Sequence, residues 1–309
     1  MRPRPALAVL LTVFGTASTG RSLGLVPPDR SVVLADSDFG RWAPAFARLG
    51  FRLVARPAPV ALIDPHGLAR FSRAGAGVEV EPPVSRLAIR SLRAYAATAR
   101  CRIVVRGEHG FRLADLALLA SVGPCFFEIH LAADPSLFAE GLESLRPAEV
   151  VWETGTAVPG LDDLAQLAAL PHPFLAVTAG AVARAAAALQ ALGDDRLGLW
   201  ARLEKGSMPE AGWTALERAG RAFPVVVEVD GALPADLARS LARLDRLSVE
   251  LRLGSGHRPP DLRAAALLGR PMAPLRTKKS EKDLDWPLFE APAPAGAPLK
   301  KPERRPISR

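Results

Sequence analysis

The segment FPVVVEVDG, residues 223 to 231, joins the pattern of a buried strand to two acidic residues. Its valines predict a β-strand, because β-branched side chains favour the pleated conformation. Glu228 and Asp230 interrupt the apolar run, and a buried carboxylate costs several kcal/mol unless it is paired. Since successive side chains of a strand point to opposite faces, both acids share one face. The segment therefore predicts a strand with one apolar and one ionisable face.

Similar short runs recur along the chain, separated by helical stretches rich in Ala, Leu and Arg. Their starts lie 23 to 27 residues apart, a near-regular period typical of βα units in a parallel sheet. With the final helical run at 259–270, eight units suffice for a (β/α)8 TIM-like barrel. The eight runs begin with GVEVEP (77–82), CRIVVRGE (101–108), CFFEIHL (125–131) and EVVWETG (149–155), and continue with PFLAVTAG (173–180), RLGLWARLEKG (196–206), the opening segment and RLSVELRLGSG (246–256).

An open, doubly wound sheet is the competing architecture, but its strands are covered on both faces and read as continuous apolar runs. Six of the eight runs instead carry two ionisable residues at positions i and i+2. A barrel interior that opens at the carboxyl ends of the strands accounts for this pattern and favours the barrel. The pairs are Glu79 and Glu81, Arg106 and Glu108, Glu128 and His130, Arg202 and Glu204, Glu228 and Asp230, and Glu250 and Arg252.

Composition divides the chain into four parts. Residues 1–30 form an N-terminal segment and a candidate signal peptide, 31–76 a short α/β extension, 77–270 the barrel, and 271–309 a disordered tail rich in Pro, Lys and Arg. Trp286–Phe289 lies in that tail and is a candidate docking segment for the body or for a protein partner. The formal charge is +8, of which residues 1–30 contribute +3 and residues 271–309 contribute +4.

The remaining charge of about +1 on the middle of the chain, with no nucleic-acid motif, argues against nucleic-acid binding through the body. No run of 18 apolar residues is present, so we expect no membrane span. Cys101 and Cys125 open consecutive strands and would be close enough to bond in an exported protein. Free buried thiols in a cytoplasmic protein are the preferred interpretation, with export the alternative if residues 1–20 are a signal peptide.

The carboxyl ends of barrel strands are where active sites of this fold lie. Acids and arginines crowded there perturb one another's ionisation, which is a mark of functional sites. The candidate catalytic residues are Glu128, His130, Glu204, Glu228 and Asp230. The candidate substrate-binding residues are Arg106, Glu108, Arg202 and Arg252, together with Gly254, Ser255 and Gly256. These last three precede the final helix and would bind a phosphate group or form a plain tight turn, because Pro259 and Pro260 remove two N–H donors.

Two kinds of chemistry suit these residues. The carboxylates and His130 would hold a divalent metal ion, or the acids would serve as general acid and base while arginines clamp a small anion. Alternatively, Glu and Arg on neighbouring strands neutralise one another as packed ion pairs.

The segment VRGEHGFRLADL (105–116) is similar to the Gly-Gly-Glu-Pro segment after strand two of radical S-adenosylmethionine enzymes. Gly107, Glu108, Arg112, Asp115 and Leu116 match, whereas Arg106 and His109 replace the first Gly and the Pro. The CxxxCxxC motif of that family is absent, and EPPVSRLAIR stands in its place. The resemblance implies a barrel without its cluster.

These observations leave two functions open. The first is a barrel enzyme acting on a small anionic metabolite by acid–base or metal-assisted chemistry. The second is a non-catalytic barrel scaffold or binding protein that docks partners through its tail.

Overall fold

A computed structural model describes residues 29–97, 102–106, 111–123, 125–145, 148–204, 207–244, 246–253 and 261–268, with the Glu204 side chain left out. Its strands are β1 (Arg30–Ala35), β2 (Arg52–Arg56), β3 (Gly77–Val80), β4 (Arg102–Val105), β5 (Phe126–Leu131), β6 (Ala148–Gly155), β7 (Pro173–Thr178), β8 (Gly198–Glu204), β9 (Val225–Asp230) and β10 (Ser248–Leu253).

All ten strands are parallel, and each pairs with its neighbours in the sequence until β10 closes on β1. The predicted parallel α/β barrel is confirmed. The count of eight strands and the separate extension at 31–76 are wrong in detail, since β1 and β2 belong to the same closed sheet. Both strands lack the ionisable i,i+2 pair that marks most of the others, so the sequence pattern places the start of the repeat two strands too late.

Helices connect the strands and cover the outside of the barrel. They begin with favourable first-turn chemistry: Ser85 caps one helix through the Ala88 amide at 3.0 Å, and Asp64 caps another. The helices are α1 (Asp36–Arg48), α2 (Pro59–Leu62), α3 (Pro65–Arg73), α4 (Arg86–Ala96), α5 (Leu113–Ala120), α6 (Ala139–Glu143), α7 (Leu161–Ala168), α8 (Val182–Leu192), α9 (Glu210–Ala222), α10 (Ala235–Ala242) and α11 (Leu262–Leu268).

The main hydrophobic core lies between the strands and the helices. Outward-facing strand residues such as Val227, Val229 and Ile129 are fully buried there against apolar helix side chains. Burying one such side chain stabilises the fold by about 1.5–3 kcal/mol. The parity read from residues 223–231 is therefore correct: the alternate valines of β9 face the helices, and Glu228 faces the interior.

Barrel diameter grows with strand number, and eight strands already leave just enough room for side chains to fill the interior. Ten strands enclose a wider space, which larger side chains fill. Trp200 and Phe174 pack edge to face there, with ring centroids 5.8 Å apart. Gly198 permits this packing, because a Cβ at that position would lie 2.4 Å from the Phe174 ring. Long Arg and Glu side chains occupy much of the rest.

Several sequence predictions fall outside the described residues. They concern the candidate signal peptide, the tail with Trp286–Phe289, Glu108, and the turn Gly254, Ser255 and Gly256. Within the part of the chain that the structure describes, no helix is both long and apolar enough to cross a membrane. Cys125 is buried and disulfide-bonded, which corrects the preference for a free thiol at that position. The chain's other cysteine, Cys101, lies outside the described residues.

Candidate active site in the barrel interior

The barrel interior contains a connected set of ionisable side chains drawn from most of the strands. Each lies on the inward face of its strand, because its neighbours in the sequence face the helices. Their carboxylates and guanidinium groups pair across the lumen as well as between adjacent strands. The set comprises Arg56, Glu79, Arg102, Arg106, Glu128, His130, Glu149, Glu153, Arg202, Glu228, Glu250 and Arg252.

Glu228, the acid of the opening segment, is almost fully buried and accepts three hydrogen bonds. Arg106 donates from both terminal nitrogens at 2.8 and 2.9 Å, and the Trp200 indole donates at 2.8 Å. Burial alone would raise the pKa of Glu228, but Arg106, Arg252 and Arg202 outweigh it and hold the pKa at about 2. Glu228 is therefore an ionised carboxylate locked in place by its partners.

A second cluster joins β2 and β3 to the last strand, β10. Arg252 donates to both oxygens of Glu79 at 2.8 and 2.7 Å and to Glu250 at 3.0 Å. Arg56 completes the coordination of Glu79 at 2.8 Å. Burial opposes ionisation of Glu79, yet the neighbouring arginines keep its pKa below the usual range. Burial raises the pKa of Glu250, and nearby Glu128 adds to that rise.

A third group runs along the interior from its closed centre toward the mouth. The Nε2 atom of His130 lies 2.7 Å from Glu128 Oε1, and its Nδ1 atom lies 2.9 Å from Glu153 Oε1. The other oxygen of Glu128 accepts from Arg102. Trp200 packs edge to face on the imidazole, with centroids 5.1 Å apart, and so fixes the ring plane.

The pKa values of this group follow from its burial and its charges. Burial lowers the pKa of His130, Arg106 and Arg202 act in the same direction, and Glu128 opposes them. Burial would raise the pKa of Glu128, but Arg102 and His130 bring it well below the usual range. Glu128 is fully buried, so it cannot touch a ligand at the mouth directly.

The mouth of the barrel is rich in arginine. Arg202 donates to Glu153, and Arg106 Nε lies 3.3 Å from the same carboxylate. The Arg202 side chain is 23% exposed and that of Glu153 is 17% exposed, so both reach the edge of solvent. Arg202 Nε is buried, lies 3.7 Å from Glu228 Oε2 and makes no hydrogen bond among the described residues. Burial lowers the pKa of Arg202 to about 10. Glu228 opposes this decrease, and Arg106 and Arg252 add to it.

Most of the candidates predicted from the sequence come together in this interior: Arg106, Glu128, His130, Arg202, Glu228 and Arg252. Asp230 ends β9 and is exposed, so it stands at the rim rather than within the network. The backbone of Glu204 pairs with that of Asp230 in the register of β8 and β9. The alternative of ion pairs between neighbouring strands is realised for Glu128, which pairs with Arg102. Glu228 and Arg252 instead hydrogen-bond to Arg106 and Glu79, which do not lie on neighbouring strands.

Sequence reasoning missed three members of the network, namely Glu153, Glu149 and Arg102. Glu149 and Glu153 share the inward face of β6, but Val151 lies between them, so the i,i+2 criterion passed over both. Arg102 opens β4 and lies four residues before Arg106, which directly follows that strand. A search for ionisable residues at i and i+4 in each strand would have found all three.

Among the described residues, no group of three or more His, Cys, Asp or Glu side chains is arranged to hold a metal ion. The carboxylates of Glu128, Glu153 and Glu228 instead face guanidinium or imidazole nitrogens. A separate surface cavity of about 260 Å³ lies between α9 and the segment that follows α10, and none of the candidate residues lines it.

Comparisons with known proteins give a likeness in fold only. No family model matches the chain, and no curated protein matches it. One solved structure similar to it is the metallated form of the homocysteine methyltransferase MmuM from Escherichia coli, with a TM-score of 0.39 and 13% sequence identity. That match covers 79% of this chain and 96% of the methyltransferase chain.

Proposed function

We propose that this chain is a barrel enzyme that binds a small anionic metabolite at the carboxyl-terminal mouth and acts on it by general acid–base chemistry. Arg202 carries the proposal. It sits at the mouth with a buried Nε donor that makes no hydrogen bond among the described residues, its nearest acceptor being Glu228 Oε2 at 3.7 Å. Burial and two neighbouring arginines lower its pKa to about 10, despite Glu228. An anion would supply the missing acceptor and relieve the repulsion among the arginines.

Glu153 is the best candidate for the general acid and base. It combines partial exposure at the mouth with direct contacts to His130 and Arg202. Arg106, whose Nε approaches the same carboxylate, is the second anchor for an anion. Asp230 at the rim offers a second carboxylate within the same opening. Active sites of this fold lie at this end of the barrel, which agrees with the assignment.

A non-catalytic barrel is the second candidate, and a specific observation favours it. The Glu228 carboxylate already accepts three hydrogen bonds, and Glu79 is held by two arginines. Long ion-paired side chains also suit the width of a ten-stranded barrel for purely structural reasons. In this alternative the function lies outside the lumen, with Trp286–Phe289 as the candidate segment that docks a protein partner.

Ligand-induced stabilisation separates the two candidates. The thermal midpoint is measured with inorganic phosphate, citrate and a panel of phosphorylated and carboxylated metabolites, each with and without Mg²⁺. A ligand present at 100 times its Kd stabilises the native state by about 2.7 kcal/mol. We expect at least one anion to do so for the wild type and for Arg218→Gln, a control that is exposed on α9 and does not line the surface cavity, but not for Arg202→Gln.

Each protein is compared with itself in the absence of ligand, so a change in the intrinsic stability of Arg202→Gln does not enter the result. The enzyme proposal fails if no anion stabilises the wild type, or if Arg202→Gln responds as the wild type does. Once such a ligand is identified, Glu153→Gln should still bind it. Its turnover, measured by NMR of the ligand, should fall about 10²–10⁴-fold. Unchanged turnover in that variant would remove Glu153 from the chemistry.

A further inference from the structure

His130 is held between two carboxylates in a way that restricts where protons can be. In a neutral imidazole, one ring nitrogen donates a hydrogen bond and the other accepts one, whereas both ring nitrogens donate in the imidazolium form. Here each ring nitrogen lies within hydrogen-bond distance of a carboxylate oxygen, at 2.7 Å to Glu128 and 2.9 Å to Glu153. Neither contact is favourable unless it contains a proton.

The contact with Glu153 fixes one of the two protons. Oε1 of Glu153 accepts from Arg202, lies 3.3 Å from Arg106 Nε and faces His130 Nδ1. An oxygen surrounded by three nitrogens of this kind acts as an acceptor, since a hydrogen on it would point at a guanidinium group. The proton in this contact therefore belongs to Nδ1 of His130.

The contact with Glu128 needs a proton of its own. Oε2 of Glu128 is taken by Arg102, which leaves Oε1 to face His130 Nε2. With Nδ1 already protonated, a neutral ring would present the Nε2 lone pair to a carboxylate oxygen in a site that excludes water. The second proton lies on Nε2 or on Glu128 Oε1, and either position removes the repulsion.

Other charges near the ring set the balance between these two positions. Burial, Arg106 and Arg202 lower the pKa of His130, and contact with Glu128 raises it. Although burial would raise the pKa of Glu128, Arg102 and His130 keep it low, so the charges favour neither position and the two short contacts carry the inference. The neighbouring β6 strand adds Glu149, whose own pKa is raised to about 7 by burial and by Glu128, against Arg102. The titratable and charged groups around the ring are Arg102 on β4, Arg106 directly after β4, Glu128 on β5, Glu149 and Glu153 on β6, and Arg202 on β8.

We infer that the triad of Glu128, His130 and Glu153 stores one proton more than a neutral imidazole with two ionised carboxylates would hold, and that this proton is delivered to the mouth through Glu153. The delivery rests on the proposed function; the storage does not. In the transfer, an anion that pairs with Arg202 and Arg106 draws both guanidinium groups away from Glu153 Oε1, the Nδ1–H bond of His130 breaks, and an O–H bond forms on that oxygen. That proton then passes to the substrate and restores the Glu153 carboxylate, while Nε2–H of the now neutral ring still donates to Glu128.

Nδ1 of His130 regains its proton after the transfer for a physical reason. After the transfer, the Nδ1 lone pair faces an ionised Glu153 at hydrogen-bond distance, which favours capture of a proton from solvent through the same carboxyl group. Glu128 and Arg102 are positioning residues in this scheme, because both act through His130 and neither reaches the mouth.

The storage is tested by NMR of wild-type protein labelled with ¹⁵N in histidine and ¹³C at the glutamate carboxyl groups, at pH 7. Through-bond correlation spectra of uniformly ¹³C,¹⁵N-labelled wild type assign the His130 and Glu128 signals without any variant, and exposed His172 serves as the solvent-exposed comparison. We expect either two protonated ring nitrogens, or an unprotonated Nε2 together with a protonated Glu128. An unprotonated Nε2 beside an ionised Glu128 would overturn the inference.

Glu128→Gln adds a second readout where it folds. An amide NH₂ can donate to Nε2, so the requirement for the extra proton disappears, and His130 should become a neutral ring protonated at Nδ1. An imidazolium that persists in this variant would show that Glu128 does not hold the proton in place. Since the wild-type spectrum is decisive by itself, failure of the variant to fold leaves the test intact. Failure of anion binding with a protonated triad would reject the proposed function and keep the stored proton.

Discussion

Neighbouring residues of one strand show how differently the two faces of this barrel are stabilised. Ile129 on β5 points to the helices and is fully buried among apolar side chains. Glu128, beside it, points to the lumen and is equally buried, with Arg102 and His130 as partners. Removing a methyl group from Ile129 weakens many small contacts slightly. Removing the Glu128 carboxylate leaves cationic groups without a counter-ion, so inward residues depend on one another far more than outward ones.

The largest expected effect is on the inward face. Glu228→Met should lower the free energy of unfolding by about 3–5 kcal/mol, because Arg106 and Trp200 lose their acceptor in a buried site. Ile129→Val on the outward face is the matched control and should cost about 0.5–1.5 kcal/mol. Urea unfolding of both variants at pH 7 gives the comparison. Similar losses in the two variants would mean that the faces do not differ as argued.

Replacing both Arg106 and Glu228 tests the same difference between the inward and outward faces more directly. In the double variant with Arg106→Met and Glu228→Met, no unpaired charge of this pair remains in the lumen, so the loss should be smaller than the sum of the two single losses. Coupling energies between contacting residues are about 0.5–3 kcal/mol. Simple additivity would show that Arg106 and Glu228 stabilise the barrel independently, as outward residues do.

This difference also explains what could be predicted from the sequence. Alternation within a strand is local, so the inward direction of Glu228 and the parallel βα repeat could both be read from the chain. Pairing across the lumen is not local. Arg106 and its partner Glu228 are 122 residues apart, and Arg252 and Glu79 are 173 apart. Which charges meet depends on strand number and register, and the strand number was underestimated.

An intermediate effect on the free energy of unfolding is expected at Glu149, near the beginning of β6. Burial raises the pKa of Glu149 to about 7, with Arg102 opposing and Glu128 adding to the rise. The folded state thus binds this proton more tightly than the unfolded state, where the pKa is near 4.5. Stability is therefore lost as the pH rises from about 4.5 to 7 and stays reduced above that.

Glu149→Gln removes this dependence, because an amide does not ionise. One pKa unit corresponds to about 1.4 kcal/mol, and a side chain 28% exposed is partly screened by solvent. We expect the variant to gain about 1–2 kcal/mol on the wild type between pH 5 and pH 8, measured by urea unfolding at both values. Exposed Glu81, changed to Gln, is the control. An equal pH profile for wild type and Glu149→Gln would contradict the argument.

The smallest effect on the free energy of unfolding is expected for an Arg–Glu pair on a helix outside the barrel. Arg221 donates to Glu217 at 2.9 Å, one turn away on α9, and both side chains are more than half exposed. Water and salt screen such a pair, so Arg221→Gln should cost only about 0.3–0.5 kcal/mol, and less in 1 M NaCl. The Glu228→Met loss should barely change in the same salt, because its partners are shielded from solvent. Equal salt sensitivity in the two variants would mean that ions reach the lumen, and the interior would then be an open polar channel instead of a packed ionic core.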